Sequence, residues 1–128
     1  MSYNITRKTS GDFDAVIVRV KDALKSEGFG VLTEIDVAGT LKAKIGKDFR
    51  PYRILGACNP NFAFQALIEE AHIGVMLPCN VIVQRYDNGE VEVSSIDPAT
   101  AMQTVGNPKL AAVADQVRAA LKRVIERL

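Results

Sequence analysis

Tyr52-Arg53-Ile54-Leu55-Gly56-Ala57-Cys58-Asn59-Pro60 and Gly74-Val75-Met76-Leu77-Pro78-Cys79-Asn80-Val81-Ile82-Val83 hold both cysteines of the chain, each followed by asparagine. The single histidine, His72, lies between them. Residues 52–57 are short, apolar and β-compatible, so they read as a buried strand. Asn59 is a good N-cap and Pro60 suits a first helical position, so a helix is expected to start there. Cys58 then sits where a strand hands over to a helix, facing unpaired N–H groups and the positive end of the helix dipole. Such a place eases loss of a thiol proton and also suits an anion. Pro78 cannot donate a ladder hydrogen bond, so the strand around Cys79 should carry a bend, a bulge or an edge there.

Working outward, residues 3–9 read as a thin edge strand. A helix capped by Ser10 or Asp12 follows, with Phe13, Val16, Ile17, Val20 and Leu24 as one apolar stripe and Gly28 as its stop. Residues 29–35 alternate as a strand, and Asp36 caps a short helix from Val37 to Ile45 that ends at Gly46. The helix from Pro60 is expected to reach residues 72–74. It is apolar on more than one side, which predicts deep burial or a subunit contact. Residues 75–86 read as one long strand interrupted at Pro78. Asp87-Asn88-Gly89-Glu90 signals a two-residue hairpin turn, with Arg85 facing Glu92 and Tyr86 facing Val91 across residues 91–96. Asp97-Pro98 starts a short helix running to about Val105. Asn107-Pro108 starts a long final one, striped by Leu110, Val113, Ala114, Val117, Leu121, Val124, Ile125 and Leu128. Strands mixed with helices and a tight hairpin predict an α+β domain rather than a doubly wound parallel sheet.

Arg50-Pro51-Tyr52-Arg53-Ile54-Leu55-Gly56-Ala57-Cys58-Asn59-Pro60 and Leu77-Pro78-Cys79-Asn80-Val81 resemble the signature of the bacterial and archaeal domain of unknown function 302 family. Phe29-Gly30-Val31-Leu32-Thr33-Glu34-Ile35-Asp36 is similar to that family's earlier segment. The resemblance implies a β-α-β(4)-α sheet-and-helix topology of the TATA-binding-protein-like fold group. It also implies a site around Cys58, Asn59, Cys79 and Asn80. It implies no activity, since the family has none assigned, and a shared fold group is no evidence of DNA binding.

Composition bounds the rest. At 128 residues the chain fits a single domain, 1–128, with a real core. A formal net charge of +1 argues against a strongly electrostatic nucleic-acid binder, so no nucleic-acid partner is expected. No apolar run approaches the roughly 20 residues of a membrane helix, so no membrane partner is expected either. The opening residues lack a signal-peptide pattern, which predicts a cytoplasmic protein with free thiols.

Three chemistries compete for the cysteines. In the first they are inert, buried apolar groups. In the second Cys58 and Cys79 bind a soft metal ion with His72, or with Glu34 or Asp36; the spacing is not of C-x-x-C type. In the third they are redox or nucleophilic thiols, with Cys58 the more reactive. Lys42, Lys44, Lys47, Arg50 and Arg53 make the most basic stretch, either a solvated face or an anion site near Pro60. No phosphate loop, dinucleotide fingerprint or nucleophile elbow is present. The expectation is a small binding domain with Cys58, Asn59, Cys79, Asn80 and Arg53 as ligand contacts and a homodimeric assembly. A thiol-dependent redox protein is the competing class, and a structural or interaction protein is the third.

Overall fold

Aspartate side chains start three of the helices where the sequence places them. In the computed structural model, which describes residues 2–128, Asp12 accepts from Ala15 N at 2.7 Å and opens α1 (Phe13–Ser26). Asp36 accepts from Gly39 N at 3.0 Å, ending β2 (Gly30–Asp36) and opening α2 (Val37–Ile45), which stops at Gly46 in the left-handed region. Each bond satisfies a first-turn N–H that has no partner within the helix. Asp97 does the same for α4 (Pro98–Gln103) after β5 (Val91–Ile96).

The remaining strands are β1 (Asn4–Thr9), β3 (Tyr52–Cys58) and β4 (Cys79–Arg85). The five form one sheet in the order β1-β5-β4-β3-β2, with every neighbouring pair antiparallel. Alternation splits each strand between two faces. Leu55, Val81, Val83 and Val93 are completely buried on one face, under Val16, Val20 and Leu24 of α1 and Leu121 and Val124 of α5 (Ala111–Glu126). The other face carries Thr6, Tyr52, Asn80, Ile82, Gln84 and Ser94 along a broad groove. The domain is α+β, as expected. Among the described residues no helix is long and apolar enough to cross a membrane.

Local expectations are corrected in four places. Residues 75–86 are not one strand: Ile73–Met76 form a 3-10 turn, the Leu77–Pro78 peptide is cis, and β4 starts only at Cys79. Proline has no N–H for the ladder, so pairing begins after it. The hairpin pairs Arg85 with Val91 and Gln84 with Glu92, one residue away from the expected register. Only Gly89 has a positive φ there, +90°, and the Tyr86 backbone accepts from Gly89 N and donates to Glu90 O. That is a three-residue loop with a glycine bulge rather than a two-residue turn. The helix from Pro60, α3, ends at Glu69, short of residues 72–74. The final helix is preceded by a 3-10 turn, Pro108–Leu110, capped by Asn107.

Candidate functional site

β3 and β4 end side by side, with Ala57 directly opposite Cys79. Cys58, the last residue of β3, lies one position further on. Both thiols are free, half-buried, and line the same cavity of about 280 Å³. Its inner wall is the sheet end, with Ala57, Leu77 and Pro78 beside the cysteines. α3 contributes Phe62, Ala63 and Ala66, α4 contributes Pro98 and Met102, and α5 contributes Val113, Ala114 and Val117. Alanines at facing positions leave room that larger side chains would fill. Native interiors leave few voids larger than a water, so a cavity of this size is a feature of the fold.

The lining is almost wholly apolar. Among the described residues its only ionisable groups are the two thiols, and its only other polar side chain is Asn59. Burial pushes the Cys79 thiol up to about 11, and proximity to Cys58 adds to the shift. A charged sulfur would lose its hydration there, so Cys79 stays neutral near pH 7.

Asn59 is not the expected side-chain cap. Its Nδ2 donates to the carbonyl of Glu27 at 3.3 Å, tying the start of α3 to the end of α1. The first turn of α3 therefore has no side-chain cap and no acidic residue.

The other predicted contacts are dispersed. Asn80 follows Cys79 on a strand and points to the opposite, exposed face, opposite Gly56. Arg53 lies outside the cavity, paired with Glu34 and stacked 5.6 Å from the Phe13 ring centroid. Glu34 also binds Lys21 at 2.6 Å, and these two cations hold its carboxyl below the usual range. His72 has a side chain 91% exposed and pairs with Glu70 at 3.7 Å, so the expected Cys58–Cys79–His72 set is not assembled. Among the described residues no group of three or more His, Cys, Asp and Glu side chains is placed to hold a metal ion.

The basic stretch is partly spent in other contacts. Lys42 pairs with Asp48 at 2.9 Å. The Arg50 guanidinium lies 4.5 Å from the Phe49 ring centroid and 5.2 Å from that of Tyr86, and its Nε donates to Gln84 Oε1 at 2.8 Å. Sequence reasoning missed Met102 and the far wall on α5. The apolar stripe of α5 has no local feature that separates cavity wall from sheet packing, and the recurrence of alanine at positions 57, 63, 66 and 114 was the available signal.

Fold and site together define a small α+β domain with an apolar, thiol-lined cavity at the open end of its sheet. The chain belongs to the family described as Domain of unknown function DUF302, whose model matches residues 5–128. It is similar to the crystal structure of the uncharacterized conserved protein DUF302 from Bacillus stearothermophilus. The two share 30% identity, the match covers 99% of this chain and 98% of that one, and the TM-score is 0.93. No curated protein matches the chain.

Proposed function

We propose that this is a binding domain that takes a small ligand into the cavity between Cys58, Cys79 and α3–α5. The convergence of both thiols on one otherwise apolar cavity carries the proposal. Concave, mostly apolar sites with a few placed heteroatoms are the usual form of small-molecule pockets. Binding fits better than acid–base catalysis, because among the described residues no carboxylate, imidazole, lysine or arginine lines the cavity. With the cavity empty, burial holds Cys79 as the neutral thiol, which disfavours it as the attacking sulfur in thiol exchange. Free thiols suit a reducing compartment, so the cytoplasm is the proposed setting. The proposal includes a homodimer joined through the outer face of α3, where Phe64 and Ile68 are 66% and 65% exposed.

Toluene serves as a probe of the cavity. In methyl-detected NMR it is expected to perturb Val113, Val117 and Leu110 first. Ala114→Leu fills the space and is expected to abolish that response. It should also raise stability by about 0.5–2 kcal/mol, as cavity filling commonly does. Perturbations that survive Ala114→Leu, or that fall on the exposed face of α3 instead, overturn the proposal.

A further inference from the structure

We propose that the ligand of this cavity is a soft monovalent metal ion of the copper(I) class, held by the thiolates of Cys58 and Cys79 and the thioether of Met102. The inference rests on the reading of the cavity as a ligand site and names what it takes. Three sulfur-bearing side chains line one cavity of about 280 Å³: two from adjacent strand ends and one from α4. Cys79 and Met102 both pack against the same apolar core. Methionine is unbranched and flexible, so its sulfur can follow a bound ion. Thiolate and thioether ligands select soft ions such as copper(I).

The donor set also argues against harder or more demanding ions. Structural zinc takes four ligands in a tetrahedron, drawn from cysteine, histidine and carboxylate. Here the imidazole of His72 faces solvent and the Asn59 amide is bound to Glu27. Among the described residues no histidine or carboxylate lines the cavity to complete such a set. Three sulfurs without further donors suit an ion content with a low coordination number.

Charge is handled locally. Binding forms two metal–thiolate bonds, releases both thiol protons to solvent, and leaves one net negative charge at the site; no electron is transferred. Cys58 adjoins the start of the ten-residue helix α3, whose first turn has neither a side-chain cap nor an acidic residue. Its free N–H groups and dipole favour negative charge at that place.

The test is an anaerobic titration of the reduced full-length chain with copper(I), with bicinchoninate as chromophoric competitor. One ion per chain is expected to be withheld from the competitor, with a thiolate-to-metal absorption band. Loss of an outer-shell partner alone costs roughly 10–100-fold in metal affinity, so Cys58→Ser or Cys79→Ser should cost at least as much. Met102→Leu keeps the volume and removes only the sulfur; it should fold normally and bind more weakly. Because Cys79 packs against the core, circular dichroism accompanies its variant, and Met102→Leu decides the question should Cys79→Ser unfold. Failure to withhold copper(I), full affinity in Cys58→Ser, or an unchanged Met102→Leu each overturns the three-sulfur site. Toluene entering a chain that ignores copper(I) rejects the metal and leaves the cavity as a ligand site. A chain that takes neither rejects both.

Discussion

At Cys79, burial among apolar groups makes a charged sulfur costly, and the thiol is pushed up to about 11 from an ordinary 9.0. At pH 8 a thiol of that kind is ionised in about one molecule in a thousand. Cys58 stands at the strand end beside the start of α3. Iodoacetamide at pH 8 is therefore expected to label Cys58 well before Cys79, read by mass spectrometry of the native protein. Equal rates, or faster labelling of Cys79, reject this order. The same shift has a consequence for stability. The unfolded chain releases the Cys79 proton near pH 9, whereas the folded chain holds it to about 11. Stability is thus unaffected by this group below pH 9 and falls as pH rises from 9 towards 11, by about 3 kcal/mol at most. Urea unfolding of wild type and Cys79→Ala between pH 8 and 11 measures it: the two slopes should diverge only above pH 9. Parallel curves would show that Cys79 titrates normally.

At the level of the element, Gly56 sets how the strands deliver the site, and Gly89 sets the hairpin that joins β4 to β5. A Cβ on Gly56 would lie 2.1 Å from Thr33 Oγ1 and 2.8 Å from Pro78 Cγ. Pro78 and β2 can approach β3 only because that position is empty, and this approach fixes where Cys79 enters the sheet. Gly56→Ala is expected to destabilise by about 1–3 kcal/mol, as overpacking does. It should also weaken the cavity contacts seen by toluene; a neutral effect in urea unfolding contradicts the close packing. Gly89, at φ +90°, closes the hairpin, and Gly89→Ala should cost about 1–2 kcal/mol, more than Gly89→Asn. These elements also show what was legible in the sequence. Asp12, Asp36 and Asp97 announced helix starts, because capping is local chemistry written in a few residues. The Val91–Ile96 strand and the α5 stripe were equally plain from periodicity. The hairpin register was not, since a bulge depends on which residue takes a positive φ, and Asn88-Gly89 permits more than one turn. The role of Asn59 was missed for a related reason: its bond to Glu27 spans 32 positions of sequence, and only tertiary structure sets it against the local capping choice. The approach of Cys58 to Cys79 was legible from two similar apolar strand positions, each followed by asparagine. Met102 carried no local mark, and Asn80 was assigned to the cavity although strand alternation sends it to the opposite face.

At the scale of the whole molecule, α3 has two apolar sides with different fates. Phe62, Ala63 and Ala66 face inward and wall the cavity, whereas Phe64, Leu67 and Ile68 form an exposed stripe at spacings of three and four. A helix with such a stripe normally covers it. A second copy fits the charges at its ends. α3 carries Glu69 and Glu70 at its C-terminal end, where its own dipole disfavours them, and no acidic residue in its first turn. An antiparallel, two-fold pairing of α3 with its counterpart places each acidic end against the other's positive end while burying both stripes, as an isologous interface requires. Sedimentation at micromolar concentration is expected to show a dimer, and Phe64→Glu with Ile68→Glu a folded monomer. Dissociation should also be promoted by salt, since the helix-end attraction is screened within about 10 Å at 0.1 M. A monomeric wild type, or a dimer that tolerates both substitutions, removes α3 as the interface. Because the inner side of the same helix walls the cavity, a dimer joined there holds α3 from outside. The monomeric variant should consequently bind toluene more weakly than the wild type, although no substituted residue lines the cavity.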